Sequence, residues 1–336
     1  MNRKSFQEFV GCNLCGKDNS KLLFVAKDRT NEKGGFFRIV KCKSCGLVYV
    51  NPRPIKQELF RYYLNEYQSR IYDNIKMKKS FIWETPNQSM MELKARSILK
   101  YKKSGRILDV GCKDGLFLKF LKDLGWQTYG IELNPKAVQF AKERFGLDIS
   151  CGDIEEASYP LQFFDVVSLI HSLEHLRDPV ATLRKIHLIL KEDGIVVIEV
   201  PNFGGFSSFI FRDKWLGISA PLHLYHFTRR TLEKILIICK FSPIEFKFIS
   251  THTKYMAEYS ESLRYLLGDL GLYNCRPILS REDNFNPVDF TLLKPFSFSS
   301  GKVFFHYIEY LIFFGLGRFM DIIKLGGNLS VVAKKI

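Results

Sequence analysis

The sequence predicts a doubly wound α/β fold with a small cysteine-bearing domain before it and a partly helical insertion near its end. Three observations support this prediction. From Arg106 onward, short apolar runs alternate with segments of helical periodicity, which is typical of a parallel sheet covered by helices on both faces. Two Cys-x-x-Cys pairs precede that region. Some eighty residues separate the sixth predicted strand from the apolar run at 329–333.

The composition is that of an ordinary globular protein. The chain has 336 residues, of which 46% are hydrophobic and 25% charged, enough for two domains and a sizeable core. The first residues are too polar for a signal segment, so we expect a reducing, cytoplasmic location where the eight cysteines do not form disulfides. The net charge of +15 would attract nucleic acid or anionic lipid, but the lysines are interspersed with acidic residues, so nucleic acid is not favoured.

The first motif consists of four cysteines in two pairs. They are Cys12, Cys15, Cys42 and Cys45, and a glycine follows each pair. Four thiolates in this spacing match a closed tetrahedral zinc site. We therefore predict a zinc ribbon over residues 1–51 whose Zn²⁺ is structural, because so small a domain lacks the core to fold unaided. Redox-active or unpaired thiols are the alternative.

A helical linker or cap is predicted over residues 52–104, and the α/β core over 105–250. The core begins with an apolar strand, and the turn Gly111-Cys-Lys-Asp-Gly115 follows it directly. A helix begins next, so backbone N–H groups at its start face a ligand. The second predicted strand ends at Glu132, about 20 residues past the turn, where a nucleotide fold carries an acid for both ribose hydroxyls.

Two further stretches make a family resemblance specific. The fourth strand, 163–170, contains FDVV and leads into LEHLRDP at 173–179. The turn is similar to D-x-G-x-G-x-G, with Lys113 at the middle glycine. Together these motifs resemble class I S-adenosylmethionine (SAM) dependent methyltransferases, including those that act on ubiquinone precursors, sugars and natural products. The resemblance implies a seven-stranded, Rossmann-like sheet whose last strand, within 328–336, is antiparallel.

The resemblance also implies which residues hold SAM. The turn would hold the methionine part, Glu132 the ribose and Asp153 the adenine amino group, with Ile154 against the ring. The predicted cofactor-binding residues are Asp109, Gly111, Cys112, Gly115, Glu132, Leu133, Asp153, Ile154 and His171. Asp153 also precedes Glu155 and Glu156, so it is a candidate helix N-cap as well.

An aromatic insert after the fifth strand carries two histidines. Its HLYHFT segment, at 223–228, resembles that of family members that have an N-terminal Cys-x-x-Cys domain and are linked to glycan or secondary metabolism. The candidate catalytic bases are His171, His223 and His226, since histidine titrates near neutral pH. The alternative is a hydrogen-bonded histidine in the seam between the insert and the core.

Glu174 and His175 allow two interpretations. In some quinone O-methyltransferases of this family, an acid-x-x-Glu-His group is a divalent-metal candidate. Here His171 stands in the place of the acid, so we expect Glu174 and His175 to serve in helix capping and packing instead.

The insertion is predicted over 251–327, before the last strand. Within it, 303–323 is nearly all apolar but is interrupted by charged residues such as Glu309 and Arg318, which argues against a membrane-spanning helix. We expect a lid on the sheet, a dimer face or an interfacial helix with peripheral membrane contact, in that order of preference. The sequence does not specify the oligomeric state.

These motifs together predict a SAM-dependent methyltransferase with a small-molecule acceptor, and a sugar, glycan or other secondary-metabolite hydroxyl or carbon is favoured. One alternative is an RNA methyltransferase with a zinc-binding substrate domain. The missing N/D-P-P-[FY] motif and the lack of a basic stretch disfavour it. The other alternative is a non-catalytic binding protein with a degenerate SAM site, which only Lys113 supports. The sequence does not identify the methylated atom.

Overall fold

The computed structural model describes residues 6–29, 35–63, 84–249, 262–263, 265–267, 269–270 and 315–336. The strands in this part of the chain are β1 (Gln7–Glu8), β2 (Ser20–Lys27), β3 (Phe36–Cys42), β4 (Val48–Val50), β5 (Arg53–Pro54), β6 (Arg106–Val110), β7 (Gln127–Glu132), β8 (Asp148–Cys151), β9 (Phe164–Ile170), β10 (Leu190–Pro201), β11 (Tyr225–His226), β12 (Phe241–Ile249) and β13 (Asn328–Lys335). The helices are α1 (56–63), α2 (Glu84–Leu99), α3 (Leu116–Asp123), α4 (Pro135–Phe145), α5 (Pro179–Ile189), α6 (Phe206–Phe211) and α7 (Arg229–Ile238).

Much of the predicted insertion, including 303–314, lies outside the described residues. Its described end, 315–322, is helical and leads into β13. Within the ranges given above, no helix is long and apolar enough to cross a membrane. The lid, dimer-face and interfacial interpretations of 303–323 stay predictions.

Seven strands form one sheet in the order β12-β13-β10-β9-β6-β7-β8. The strands from β6 to β10 run parallel, whereas β13 runs antiparallel between β10 and β12, with Val197 opposite Val332. This arrangement confirms the predicted doubly wound sheet with an antiparallel last strand. The apolar runs of β6, β9 and β10 are almost wholly buried, as expected for central strands covered on both faces.

Polar caps start the helices that cover this sheet. Asn134 Oδ1 accepts hydrogen bonds from two N–H groups at the start of α4, and Asp178 Oδ1 accepts one at the start of α5. Thr228 and Thr231 form a capping box at the start of α7. Because β6 to β10 run parallel, their carboxyl ends gather at one edge of the sheet.

The N-terminal strands form a second sheet that the core completes. Its order is β11-β4-β3-β2, and β11 belongs to the insert after β10, with Tyr225 opposite Tyr49. The N–H of Val50 also donates to the carbonyl of Leu224. Leu47 and Tyr49 pack in the same buried cluster as β9 and β10. The sequence did not predict this pairing, because β11 has only two residues and shows no alternation.

Candidate active site

The glycine turn after β6 packs closely on its neighbours. Gly111 and Gly115 have φ angles of +74° and +76°, in the left-handed region that favours glycine. A Cβ at Gly115 would lie 2.6 Å from Leu147 Cδ1, and one at Gly111 would lie 2.5 Å from Ser172 Oγ. Neither glycine can be replaced without a shift of the structure around it.

Asp109 and Cys112 are buried and support the turn from within. Asp109 Oδ1 accepts a 2.7 Å hydrogen bond from Ser168 Oγ on β9. Burial raises the pKa of Asp109 to about 6, although the Ser168 hydrogen bond and nearby lysines act in the opposite direction. Cys112 packs where Gly130 leaves room, since a Cβ at Gly130 would lie 2.7 Å from the Cys112 sulfur. These two side chains therefore act on the shape of the turn.

Lys113 occupies the position of the family's middle glycine. Its φ of +56° is left-handed despite the Cβ, a conformation that costs roughly 1–2 kcal/mol in a residue other than glycine. Its N–H donates to Glu132 Oε2 at 3.1 Å, which offsets part of that cost. The turn thus keeps a glycine-like backbone at this position.

Glu132 joins this turn to the end of the next strand. Its side chain is 1% exposed, and its Oε1 accepts hydrogen bonds from the Asn134 N–H at 2.9 Å and the Tyr63 hydroxyl at 2.8 Å. With the Lys113 N–H on Oε2, both oxygens are engaged and the carboxylate has one orientation. The predicted ribose acid lies at the carboxyl end of β7, the edge at which doubly wound sheets bind ligands.

The adenine-side candidates follow β8. Asp153 Oδ1 accepts a hydrogen bond from the Glu155 N–H at 3.1 Å, but a turn follows it at 154–156 rather than the helix that the N-cap interpretation expected. Ile154 is buried and Leu133 is half-buried. Because β6, β7 and β8 are neighbours in the sheet, the turn, Glu132 and Asp153 follow three adjacent strand ends at one edge.

His171 ends β9 between two carboxylates. Its Nδ1 lies 3.4 Å from Glu174 Oε1, and its Nε2 lies 3.2 Å from Glu199 Oε1. Its backbone has a φ of +52°, and its N–H donates to the Glu199 carbonyl at 2.8 Å. The next residue, Ser172, is the one that lies against Gly111. The ring of His171 is therefore held in one orientation near the glycine turn.

Glu174 and His175 meet His223 of the insert. One possible ligand atom of each residue lies within 4.8 Å of the other two, and the His175 and His223 ring centroids are 4.6 Å apart. Burial and the neighbouring His223 lower the pKa of His175 to about 3. Burial alone would raise the pKa of Glu174, but the adjacent histidine rings, His171 first, hold it below its ordinary value. Of the expected capping and packing role, the packing is present, since Glu174 is 1% exposed and His175 Nδ1 lies 3.0 Å from the Leu222 carbonyl oxygen, whereas the cap of the next helix, α5, is Asp178.

His226 lies in the seam between the insert and the ribbon. It is 3% exposed and stacks on Phe203, with ring centroids 5.8 Å apart and an interplanar angle of 20°. Burial lowers the pKa of His226 to about 3. Among the described residues its ring nitrogens have no hydrogen-bond partner, whereas His223 Nδ1 bonds the Gly217 carbonyl at 2.8 Å. The prediction placed this histidine in a seam between the insert and the core with a hydrogen bond to its ring; His226 instead lies where β11 pairs with β4 of the ribbon, and among the described residues its ring lacks that bond.

The four cysteines of the ribbon converge as predicted. Their sulfurs all lie within 4.8 Å of one another, and the Cys12–Cys45 and Cys15–Cys42 pairs are 3.4 and 3.6 Å apart. Tetrahedral Zn²⁺ with Zn–S bonds of about 2.3 Å would separate its ligands by about 3.8 Å. Burial would raise the pKa of the Cys42 thiol, but backbone N–H groups of the second knuckle outweigh it and lower that pKa to about 7. The four residues fit a structural zinc ion.

Glu199 and Tyr63 complete the site without having been predicted. Glu199 is a charged residue near the carboxyl end of β10, which is otherwise apolar and buried. A carboxylate in such a strand is costly to bury, and this feature of the sequence could have identified Glu199 as a site residue. Tyr63 lies 69 residues before Glu132, and only the folded linker brings its hydroxyl to the carboxylate.

The sheet order, the antiparallel last strand and the glycine turn followed by an acid match the Rossmann-like fold expected of class I SAM-dependent methyltransferases. Residues 82–237 match a family model described as a methyltransferase domain.

Curated relatives match about three-tenths of the chain. The chain is 30% identical over 102 residues to a ubiquinone biosynthesis O-methyltransferase of Bradyrhizobium diazoefficiens, a match that covers 29% of this chain and 40% of that protein. It is 27% identical over 105 residues to the Coxiella burnetii protein of the same name, covering 30% and 45% respectively. The chain thus spans less than half the length of these relatives.

Solved structures show similar chains at lower identity. A SAM-dependent methyltransferase from Archaeoglobus fulgidus has 22% identity and a TM-score of 0.46, over 74% of this chain and 94% of that one. A SAM-dependent methyltransferase from Thermotoga maritima, described as a possible histamine N-methyltransferase, has 14% identity and a TM-score of 0.47, over 83% and 99%.

Proposed function

We propose that the chain is a SAM-dependent methyltransferase that acts on a small-molecule acceptor. The observation that carries the proposal is the buried Glu132 carboxylate, hydrogen-bonded to the backbone of the turn and to Asn134. A fixed carboxylate beside a glycine turn suits the two hydroxyls of a ribose, and the matched methyltransferase domain makes SAM the nucleoside in question.

The residues at the strand ends would each hold a different part of SAM. The glycine turn would hold the methionine part, Glu132 the ribose, and Asp153 with Ile154 the adenine. Lys113 supports this assignment, because its left-handed backbone keeps the turn in a shape that glycine would adopt. SAM, when bound, supplies a methyl group activated by its sulfonium.

The contribution of the chain on the acceptor side is to position a hydroxyl and to take its proton. His171 is our candidate base, because it lies next to the turn and Glu174 and Glu199 flank its two ring nitrogens. The two carboxylates would orient the ring and stabilise the imidazolium that proton transfer produces. His226 would instead pack the seam, since its ring is buried against Phe203.

The acceptor we propose is a hydroxyl-bearing small molecule. The ubiquinone biosynthesis O-methyltransferases support this class, because their name assigns them an oxygen acceptor. The sugar or secondary-metabolite acceptor that the HLYHFT resemblance implies presents the same hydroxyl chemistry. Much of the rate would come from holding that oxygen in line with the donor.

Calorimetric titration of the full chain with SAM, and separately with its demethylated product, tests the proposal. We expect saturable heat with both ligands at a stoichiometry of one per chain. No binding of either ligand by protein with a native melting transition would contradict it. Filter binding to structured RNA over a salt series tests the acceptor class: tight binding with a steep salt slope would replace the small molecule by RNA.

A further inference from the structure

We propose that the Tyr63 hydroxyl and the ribose of SAM compete for the carboxylate of Glu132, so that α1 is a gate on the cofactor site. This competition rests on the proposed function, because it takes Glu132 as the ribose acid. It goes beyond that function by giving a helix of the linker a role in SAM binding. Tyr63 lies in the last turn of α1, 69 residues before the acid that its hydroxyl contacts.

The hydrogen bonds already present on Glu132 leave room for one ribose hydroxyl and not for two. A carboxylate has about four acceptor positions, two on each oxygen. Oε1 accepts from the Asn134 N–H at 2.9 Å and from the Tyr63 hydroxyl at 2.8 Å. Oε2 accepts from the Lys113 N–H at 3.1 Å. A ribose that bonds both oxygens brings one donor more than the carboxylate can accept, so one of the donors on Oε1 has to leave.

The Asn134 N–H is fixed and is not the donor that leaves. Asn134 is 2% exposed, and its side chain caps α4 by accepting hydrogen bonds from two N–H groups of that helix. The Lys113 N–H lies in the glycine turn and bonds the other oxygen. When the Tyr63 hydroxyl withdraws, these two N–H groups and two ribose hydroxyls together fill the acceptor positions of Glu132.

Tyr63 belongs to a helix that is short and partly exposed. With residues 56–63, α1 is too short to be stable without its contacts to the rest of the protein. One of these contacts is the ion pair of Lys56 with Glu156, whose side chains are 54% and 69% exposed, and so exposed a pair adds little stability. Lys56 lies beside the segment after β8 and Tyr63 beside the end of β7. The helix therefore crosses the two strand ends that would hold the adenine and the ribose.

Calorimetric titration of the full chain with SAM tests the competition through Tyr63→Phe, which removes the hydroxyl and keeps the ring. We expect the Kd for SAM to fall about tenfold, because only the wild type has to break a hydrogen bond to a charged group before both ribose hydroxyls bind. The melting temperature should be lower than that of the wild type without SAM and equal to it at saturating SAM, since neither complex contains the bond. A purely structural hydrogen bond would lower both melting temperatures.

Tyr62→Phe is the matched control, because it removes a hydroxyl from the same helix and the Tyr62 ring packs edge-on against Phe37. It should leave the Kd for SAM unchanged. The 2′-deoxy and 3′-deoxy forms of demethylated SAM test the role of the ribose. The form that lacks the hydroxyl destined for Oε1 leaves Tyr63 in place, so Tyr63→Phe should not tighten the binding of that form.

Three outcomes would overturn the competition. An unchanged Kd for SAM in Tyr63→Phe would show that the hydroxyl and the ribose do not exclude each other. A raised Kd would show that Tyr63 binds the cofactor, and a full tenfold gain with both deoxy forms would show that the ribose does not displace it. A wild type that binds neither SAM nor its demethylated product would instead contradict the proposed function, and the competition with it.

Discussion

Replacing Glu132 with alanine should remove the main contacts of the proposed cofactor site. Two hydrogen bonds from ribose hydroxyls to a charged acceptor are worth about 1.5–3 kcal/mol each. Loss of both should therefore weaken SAM binding by about 3 kcal/mol or more, roughly a hundredfold or more in Kd. The same change leaves the N–H groups of Lys113 and Asn134 without their carboxylate acceptor. It should lower the free energy of unfolding by about 1–3 kcal/mol for each group that water cannot reach.

Calorimetry with SAM is the assay, run at a temperature where circular dichroism shows the variant folded. Glu143→Ala is the matched control, because Glu143 is an exposed carboxylate on α4 whose bonded partner is Gln139. The control should bind SAM like the wild type. A folded Glu132→Ala protein whose Kd for SAM stays within about threefold of the wild-type value would refute the ribose role.

Three further predictions concern the base, the zinc and a buried acid. His171→Gln should reduce methyl-transfer turnover by about 10²–10⁴-fold and remove one ionisation from the pH–rate profile, with SAM affinity unchanged; undiminished turnover would rule out His171 as the base. Cys15→Ser should release the ribbon zinc, which metal analysis would measure, and should impair turnover more than SAM binding. Cys151→Ser, at an exposed cysteine outside the ribbon, should keep the zinc and the turnover. Equal behaviour of the two variants would contradict the ribbon's role. In the folded protein the pKa of Asp109 is about 6, above its ordinary value of 3.8. The protonated carboxyl therefore contributes at most about 3 kcal/mol to stability at low pH, and this contribution is lost as pH rises through 6. In denaturant titrations of the SAM-free protein, Asp109→Asn should reduce the change in the free energy of unfolding over this pH range. If the pH dependence of that free energy is unchanged in the variant, a group other than Asp109 is responsible for it.

The parts of the site that follow from local pattern could be predicted from sequence. Strand, turn and helix are encoded within a dozen residues around Gly111, and the acid Glu132 ends the next apolar run. The cysteine pairs belong to the same class, because metal-ligand spacing is itself a local property. Each of these predictions required only neighbours in the chain.

The contacts that could not be predicted all join distant segments. Tyr63 reaches Glu132 across 69 residues, and His223 of the insert meets Glu174 of the turn after β9, where the Leu224 N–H donates to the Glu174 carbonyl. Periodicity reports which face of an element is buried but not which other element covers it. Lys113 shows the converse case: the residue type argued against a left-handed turn, and hydrogen bonding to Glu132 together with tertiary packing imposed one.

The pairing of β4 with β11 has a consequence for how the chain reaches its folded state. A fragment that ended at residue 51 would contain all four cysteines, but β4 would be an edge strand without its partner β11. Leu47 and Tyr49 would also lose the apolar residues of the core that bury them. During synthesis on the ribosome, β4 cannot pair with β11 until residue 226 has emerged. The ribbon is thus synthesised before the α/β core, yet its sheet is completed only after the insert that carries β11 has been made.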